Sequence, residues 1–343
     1  EGCLGLKLLK ALYGLKQAAY LWHVCLRTWL IEEGFRPNDA DCCVFVRGTA
    51  TPAAAAGGDG SYLAVGIHVD DLLTTGYPVS AITDFKVSIS KRFQMKDLGQ
   101  VHNLLGLVIK QDLANGTVHL SQQHYIDELL DRFQMQEAWP VLTPAERGVV
   151  LTLSMAPATP AEISAMATTP YRELVGALLY VAVMTRPDIF NAVRALTRFC
   201  SNPGPRHWRA AQHLLKYLKG TRGKGLLYRR DAPTTSGAAV GYVDADWARN
   251  LDNRRSVGAH VFLRSGAAIS WRSKLQDCVA ASTCEAEYVA AAYAAQHAVW
   301  LRRLASCLGL EVSSATLLHE DNRSCIALAN NVFSEHRVKH IDI

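Results

Sequence analysis

Three observations predict an α+β chain built from more than one domain. Apolar runs of strand length alternate with helical stretches over residues 1–139, the middle of the chain is helical and basic, and the last third reads strand, strand, strand, helix, strand, helix. With 343 residues, 49% of them hydrophobic and 20% charged, the chain can bury more than one core, and general disorder is excluded.

Residues 6–30 place Leu12, Leu15, Ala19, Trp22, Leu26 and Trp29 or Leu30 at helical spacing, with Gly34 as the stop. A short strand at 42–46 precedes an Ala/Gly/Thr/Pro tract, 48–61, which reads as a flexible loop insert. Two β-rich runs, 62–69 and 72–75, are separated only by Asp70 and Asp71 and predict a hairpin with a carboxylate pair at its tip. A helix over 80–93 follows, then a strand near 103–111, a turn at Asn115-Gly116, a strand at 117–120 and a helix capped by Ser121 and running to Phe133. The stretch 140–170 holds five of the twelve prolines and reads as a linker. Helices over 171–185 and 208–218 flank Asn202-Pro203-Gly204-Pro205. After a bridge at 232–237 come strands at 239–243, 258–264 and 267–271, a long helix over 283–308, a strand at 315–319 and a helix over 322–329, which together predict an α/β layer with a mixed sheet.

No apolar run approaches the roughly 20 residues that span a bilayer, so no membrane segment is expected. Residue 1 is Glu, no secretory pattern follows it, and the chain reads as a piece of something longer. Nine cysteines without Cys-x-x-Cys or zinc-like spacing suggest buried thiols in a reducing, intracellular compartment. Net charge is only +5, yet between Tyr171 and Arg230 twelve Lys or Arg face only Glu173 and Asp188, a local net of +10. Such concentration points to a polyanion partner there. Trp208, Ala211, Leu214, Leu215 and Leu218 form a candidate buried stripe, and Arg206, Arg209, Lys216 and Lys219 surround it, suited to sequence-independent contact with a phosphate backbone.

Adjacent aspartates inside an apolar hairpin are costly unless both sit at the tip, where they can share a site. There they fit either an ordinary Asp-rich turn or a pair holding divalent cations for in-line attack at phosphorus. A second acidic set lies in the last third: Asp244 and Asp246 at the end of its first strand, Glu285 and Glu287 opening the long helix, Asp321 after the fourth strand and Asp342 near the end. Strand ends and helix starts are where α/β sheets place ligands. Glu285 and Glu287 lie about 200° apart on a helix, so only one faces that site, and a glutamate in the first turn after Ser282 or Thr283 serves equally as a cap.

The strings KLLKALYGLKQAAYLW, AVGIHVDDLL, VHLSQQHYIDELLDRFQM, YRELVGALLYVAVMTRPDI and HWRAAQHLLKYLKGT resemble the reverse transcriptase and connection segments of copia-type LTR-retrotransposon Pol polyproteins. GYVDADWARNLDNRRSVGAHVFL, ISWRSKLQDCVAASTCEAEYVAA, EDNRSCIALANN and RVKHIDI resemble the RNase H domain that follows there. The resemblance implies an incomplete palm and thumb over 1–139, the linker at 140–170, a basic helical connection over 171–235 and an RNase H-like α/β domain over 236–343. It makes Asp70 and Asp71 two of three polymerase carboxylates and puts Gln17 beside an incoming dNTP. It makes Asp244, Glu287, Asp321 and, more weakly matched, Asp342 the nuclease carboxylates, leaving Asp246 and Glu285 to cap or support them. The implied cofactor is Mg²⁺ or Mn²⁺. The implied partners are an RNA template, a DNA primer, an RNA/DNA hybrid and the rest of the polyprotein, in cytoplasm, virus-like particle or nucleus.

The departures carry expectations too. The family's first polymerase aspartate lies upstream of LYGLKQ, so polymerase activity is expected to be absent from this chain alone, while RNase H activity is expected to be the stronger candidate. His68 replaces the usual tyrosine and Ala19 the usual proline. The alternative is a decayed or repurposed element that only binds nucleic acid.

Overall fold

The computed structural model describes residues 11–12, 14–48, 60–232, 239–310 and 312–330, arranged as two units. The first comprises Glu1–Gln100 with Val299–Ser313, and the second Val101–Ala298 with Ser314–Ile343.

In the first unit, α1 spans Ala18–Glu32, a shorter helix than periodicity predicts. Gly14, at φ +92°, lies in the turn that precedes it, and residues 1–10 lie outside the described set. Its end is a glycine cap: Gly34, at φ +84°, donates to Ile31 while the Phe35 amide reaches back to Leu30. Strands β1 (Arg36–Pro37), β2 (Val44–Gly48), β3 (Tyr62–His68) and β4 (Asp71–Tyr77) form an antiparallel sheet in that order. Helix α2 (Val79–Arg92) follows, and Leu26, Leu30, Phe35, Phe45, Val65 and Phe85 share one core with the sheet. The alanine-rich tract at 49–59 lies outside the described residues.

The second unit begins with β5 (Asn103–Leu104), β6 (Leu107–Asp112) and β7 (Thr117–Ser121). Ser121 closes the strand rather than capping the next helix, α3 (Gln123–Arg132), whose N-cap is Gln122. The proline-rich stretch is not featureless. It holds α4 (Pro160–Ala167), opened by a reciprocal cap in which Thr159 Oγ1 accepts from the Glu162 amide and Glu162 accepts from the Thr159 amide. Helix α5 (Tyr171–Met184) is followed by α6 (Phe190–Thr197), which periodicity missed, and α7 (Pro205–Gly220). Leu129, Leu174, Leu178, Val193, Leu214 and Leu218 are among their common core. A strand missed from sequence, β8 (Leu226–Arg229), pairs with β7 and completes a four-stranded sheet.

The last sheet is β11 (Ala267–Leu275), β10 (Val257–Arg264), β9 (Val240–Asp246) and β12 (Leu317–His319), antiparallel except for the parallel β9–β12 pair. It is the mixed sheet that the strand pattern predicts. Helix α8 (Thr283–Cys307) buries Ala286, Ala290, Ala294 and Ala298 at four-residue spacing, and α9 (Arg323–Asn330) follows β12.

The described cysteines form no disulfide, and the expectation of buried thiols fails for most of them. Only Cys325 is fully buried, while Cys25, Cys42 and Cys278 are exposed. No described helix is long and apolar enough to cross a membrane.

Candidate functional site

The first carboxylate pair sits at the predicted hairpin, with the tip one residue earlier than the sequence places it. Register pairs His68 with Asp71, so Val69 and Asp70 make the two-residue tip and Asp71 opens β4. Both aspartates are exposed. Val69 holds φ +55°, an uncommon conformation for a β-branched residue that turns the tip sharply. Its carbonyl accepts from Trp22 Nε1 at 2.9 Å, which ties the tip to α1. Trp22 read only as part of an apolar stripe, because an indole donor gives no signal of its own in periodicity. Gln17 is the exposed N-cap of α1. Among the described residues, no third acidic, His or Cys ligand clusters with Asp70 and Asp71.

The second set converges. On β9, Gly241 and Val243 point to the buried face while Tyr242 and Asp244 share the open one. β12 runs parallel to β9 with His319 level with Tyr242, so the chain leaving β12 brings Asp321 to the height of Asp244. Gly241 permits this approach: a Cβ there would lie 2.5 Å from Leu318 Cδ2 and 2.7 Å from the Phe262 ring. The first turns of α8 supply Glu287, and one ligand atom each from Asp244, Glu287 and Asp321 lie within 4.8 Å of one another.

Between the two glutamates, Glu287 joins the cluster and Glu285 caps. The Glu285 carboxylate accepts from the Ala281 amide at 2.7 Å, and its own amide donates to Ser282 Oγ at 3.2 Å. Asp246 pairs with Arg249 at 3.4 Å. Asp342 lies outside the described residues.

Glu287 is 6% exposed, and one of its carboxylate oxygens, Oε2, has no hydrogen-bond partner. Burial, and after it the negative charges of Glu320, Asp244 and Asp321, push its pKa up to about 7, against a lowering hydrogen bond from the Ala245 amide. Glu320, which sequence reasoning passed over as the neighbour of Asp321, belongs to the same field. Burial raises its pKa too, and its Oε2 lacks a partner while its Oε1 accepts from the Asn322 amide at 3.0 Å. Three converging carboxylates, with Glu320 adding to their negative field and with the Glu287 and Glu320 Oε2 atoms buried and unpartnered, lack positive charge. An all-oxygen donor set of this kind fits a hard divalent cation of the Mg²⁺ or Mn²⁺ class.

The basic segment is less uniformly available than its net charge suggests. Arg186 is buried and forks onto Asp188, with Nε and Nη2 at 2.8 and 2.7 Å, while donating to Thr221. Arg198 pairs with Asp252 and Arg222 with Asp127. Ala211, Leu214, Leu215 and Leu218 form the buried face of α7, with Trp208 packed at its margin. Arg206 and Arg209 are exposed and Lys216 half-exposed. Lys219 differs from expectation: its Nζ donates to the Gln136 and Ala138 carbonyls, so it holds the chain after α3 instead of standing free.

A family model described as reverse transcriptase, an RNA-dependent DNA polymerase, matches residues 3–147. The chain is 39% identical, over 98% of its length, to the retrovirus-related Pol polyprotein from transposon TNT 1-94 of Nicotiana tabacum, of which it covers 24%. It is 35% identical, again over 98% of its length, to that from transposon RE1 of Arabidopsis thaliana, of which it covers 22%. The putative transposon Ty5-1 protein of Saccharomyces cerevisiae is 32% identical over 82% of this chain and 85% of its own length. The chain thus spans about a quarter of the length of the Pol polyproteins it matches. Because the likeness runs through the hairpin pair and the second cluster alike, rather than through either alone, the chain belongs to the copia-type, retrovirus-related Pol polyproteins of transposons.

Proposed function

We propose that this segment of a Pol polyprotein combines part of a reverse transcriptase with an RNase H-like domain that cuts the RNA strand of an RNA/DNA hybrid. The observation that carries the reading is the convergence of Asp244, Glu287 and Asp321, from three separated elements, around a buried unpartnered Glu287 oxygen. In this reading the palm and thumb part occupies 1–139, the 140–170 stretch links it to the basic connection at 171–235, and the nuclease domain is 236–343.

Asp244, Glu287 and Asp321 would hold Mg²⁺ or Mn²⁺, with Asp342 a further candidate ligand. Such cations lower the pKa of attacking water and stabilise the charge on the attacking and leaving oxygens of the phosphodiester. The chain's own contribution is positional. The Ala245 amide orients Glu287, and Glu285 holds the start of α8 in place without entering the site. Without a cation, burial and the surrounding carboxylates hold the Glu287 pKa up at about 7, and a bound divalent cation would relieve that repulsion. Arg206, Arg209 and Lys216 would track phosphates without reading sequence. Asp70 and Asp71 would serve as two polymerase carboxylates acting on an RNA template and DNA primer, with Gln17 near the dNTP. Their site needs a further carboxylate that the described residues do not bring near.

Cleavage of a uniform RNA/DNA hybrid in Mg²⁺ and in Mn²⁺ tests the proposal. Asp244→Asn is expected to lower the rate by about 10³-fold or more, since residues sharing one centre act as a unit. An Asp244→Asn chain cutting at the parent rate would refute it. Hybrid binding without any cleavage by the parent would favour a protein that only binds nucleic acid.

A further inference from the structure

A second ligand cluster, with different chemistry, lies in the first unit. His23 projects from the second turn of α1, and Cys42 and Cys43 form the turn before β2. One nitrogen of His23 and the two Sγ atoms lie within 4.8 Å of one another. The turn is fixed by backbone contacts independent of these side chains. Asp41 Oδ1 accepts from the Cys43 amide at 2.9 Å, the Asp41 carbonyl accepts from the Val44 amide at 3.1 Å, and the Cys43 carbonyl accepts from Ile67 on β3 at 2.8 Å. His23 Nε2 approaches the Cys42 carbonyl at 3.4 Å, so the imidazole already faces the turn.

We propose that His23, Cys42 and Cys43 bind one thiophilic cation of the Zn²⁺ class. Two sulfurs and an imidazole are the donors that such ions select, whereas Mg²⁺ and Ca²⁺ prefer oxygen. Bonds of about 2.3 Å to sulfur and 2.0–2.1 Å to nitrogen put tetrahedral ligand atoms roughly 3.5–3.8 Å apart. The three ligand atoms, within 4.8 Å of one another, are near that spacing, and Cys42 is exposed. On binding, both thiols release their protons to solvent. Three protein ligands with Cys42 at the surface leave the fourth position to water. The bound ion would clamp α1 to the turn before β2. It would act one residue from Trp22, whose indole holds the hairpin tip through Val69, so the clamp would stiffen the tip that carries Asp70 and Asp71.

The test is Zn²⁺ titration of the full chain under a phosphine reductant, against a competing chromophoric chelator, with excess Mg²⁺ to occupy the carboxylate cluster. The parent is expected to bind one tight equivalent and, with Co²⁺ in place of Zn²⁺, to show a thiolate-to-cobalt charge-transfer band. Cys42→Ser and His23→Gln should each weaken that site by on the order of 100-fold and diminish the band, while Cys278→Ser, an exposed cysteine elsewhere, should change neither. Cys42 is on the surface, so its variant keeps the fold and decides the matter alone. Equal Zn²⁺ affinity in parent and Cys42→Ser, or a cobalt complex without the charge-transfer band, overturns the assignment.

Discussion

His260 is a buried imidazole on β10 whose pKa falls to about 4, mainly by burial and then by the charges of His297 and Arg272. Its Nε2 has no partner, and its ring stacks on His297, whose Nε2 lies 2.6 Å from Ser270 Oγ. Because the folded chain binds this proton less well than the unfolded one, the stability it permits is complete above the ordinary value of 6.5 and is lost as pH falls from there toward 4. Unfolding free energies from denaturant titration between those pH values should therefore drop in the parent, by on the order of 3 kcal/mol for this group. They should drop less in His260→Phe, and identical pH slopes would contradict the account. Single residues also mark where sequence reading stops. A two-residue offset separates Glu285 from Glu287, and spacing alone says only that they face different ways. Which of them meets Asp244 depends on how α8 is rotated on the sheet, a property of the alanine face packed against it.

At the scale of elements, the long periodic helices and the alternating strands were legible, and short elements held by tertiary contacts were not. α6 has eight residues and β8 four, and each is stabilised by neighbours distant in sequence: α6 by the core it shares with α5 and α7, β8 by its ladder with β7. The Arg186–Asp188 fork explains how a buried cation survives at the end of α5: Tyr217 Oη donates to the same Asp188 oxygen at 2.9 Å, and Thr221 supplies both a carbonyl and a hydroxyl. Asp188→Asn leaves that guanidinium buried without a counter-charge and should cost about 3–5 kcal/mol, read from chemical denaturation. A loss below about 1 kcal/mol would mean that Thr221 and solvent suffice. On α7, the variant Arg206→Ala/Arg209→Ala/Lys216→Ala should flatten the salt dependence of hybrid binding, each lost phosphate contact removing roughly 0.9 from the slope of log K against log salt. Lys219→Ala should lower stability and leave that slope unchanged, since its ammonium is spent on two carbonyls. An unchanged slope in the triple variant would reduce the basic face to a solvated surface.

For the whole molecule, the order of motifs carried the family, and the fold added the geometry that motifs lack. Asp244 and Asp321 stand 77 residues apart in sequence, and what joins them is the parallel β9–β12 pair; a three-residue β12 is too short for periodicity to assign a partner or a direction. Glu320 was invisible for a related reason: strict strand alternation would send it away from its neighbour Asp321, yet its charge acts on Glu287. If Asp244, Glu287 and Asp321 form one cation-dependent nuclease centre, the two glutamates that open α8 must behave differently. Hybrid cleavage in Mg²⁺ should fall by about 10³-fold or more in Glu287→Gln and by less than about tenfold in Glu285→Gln, whose loss affects only a helix cap. Equal rates in the two variants, or a larger loss in Glu285→Gln, would contradict it.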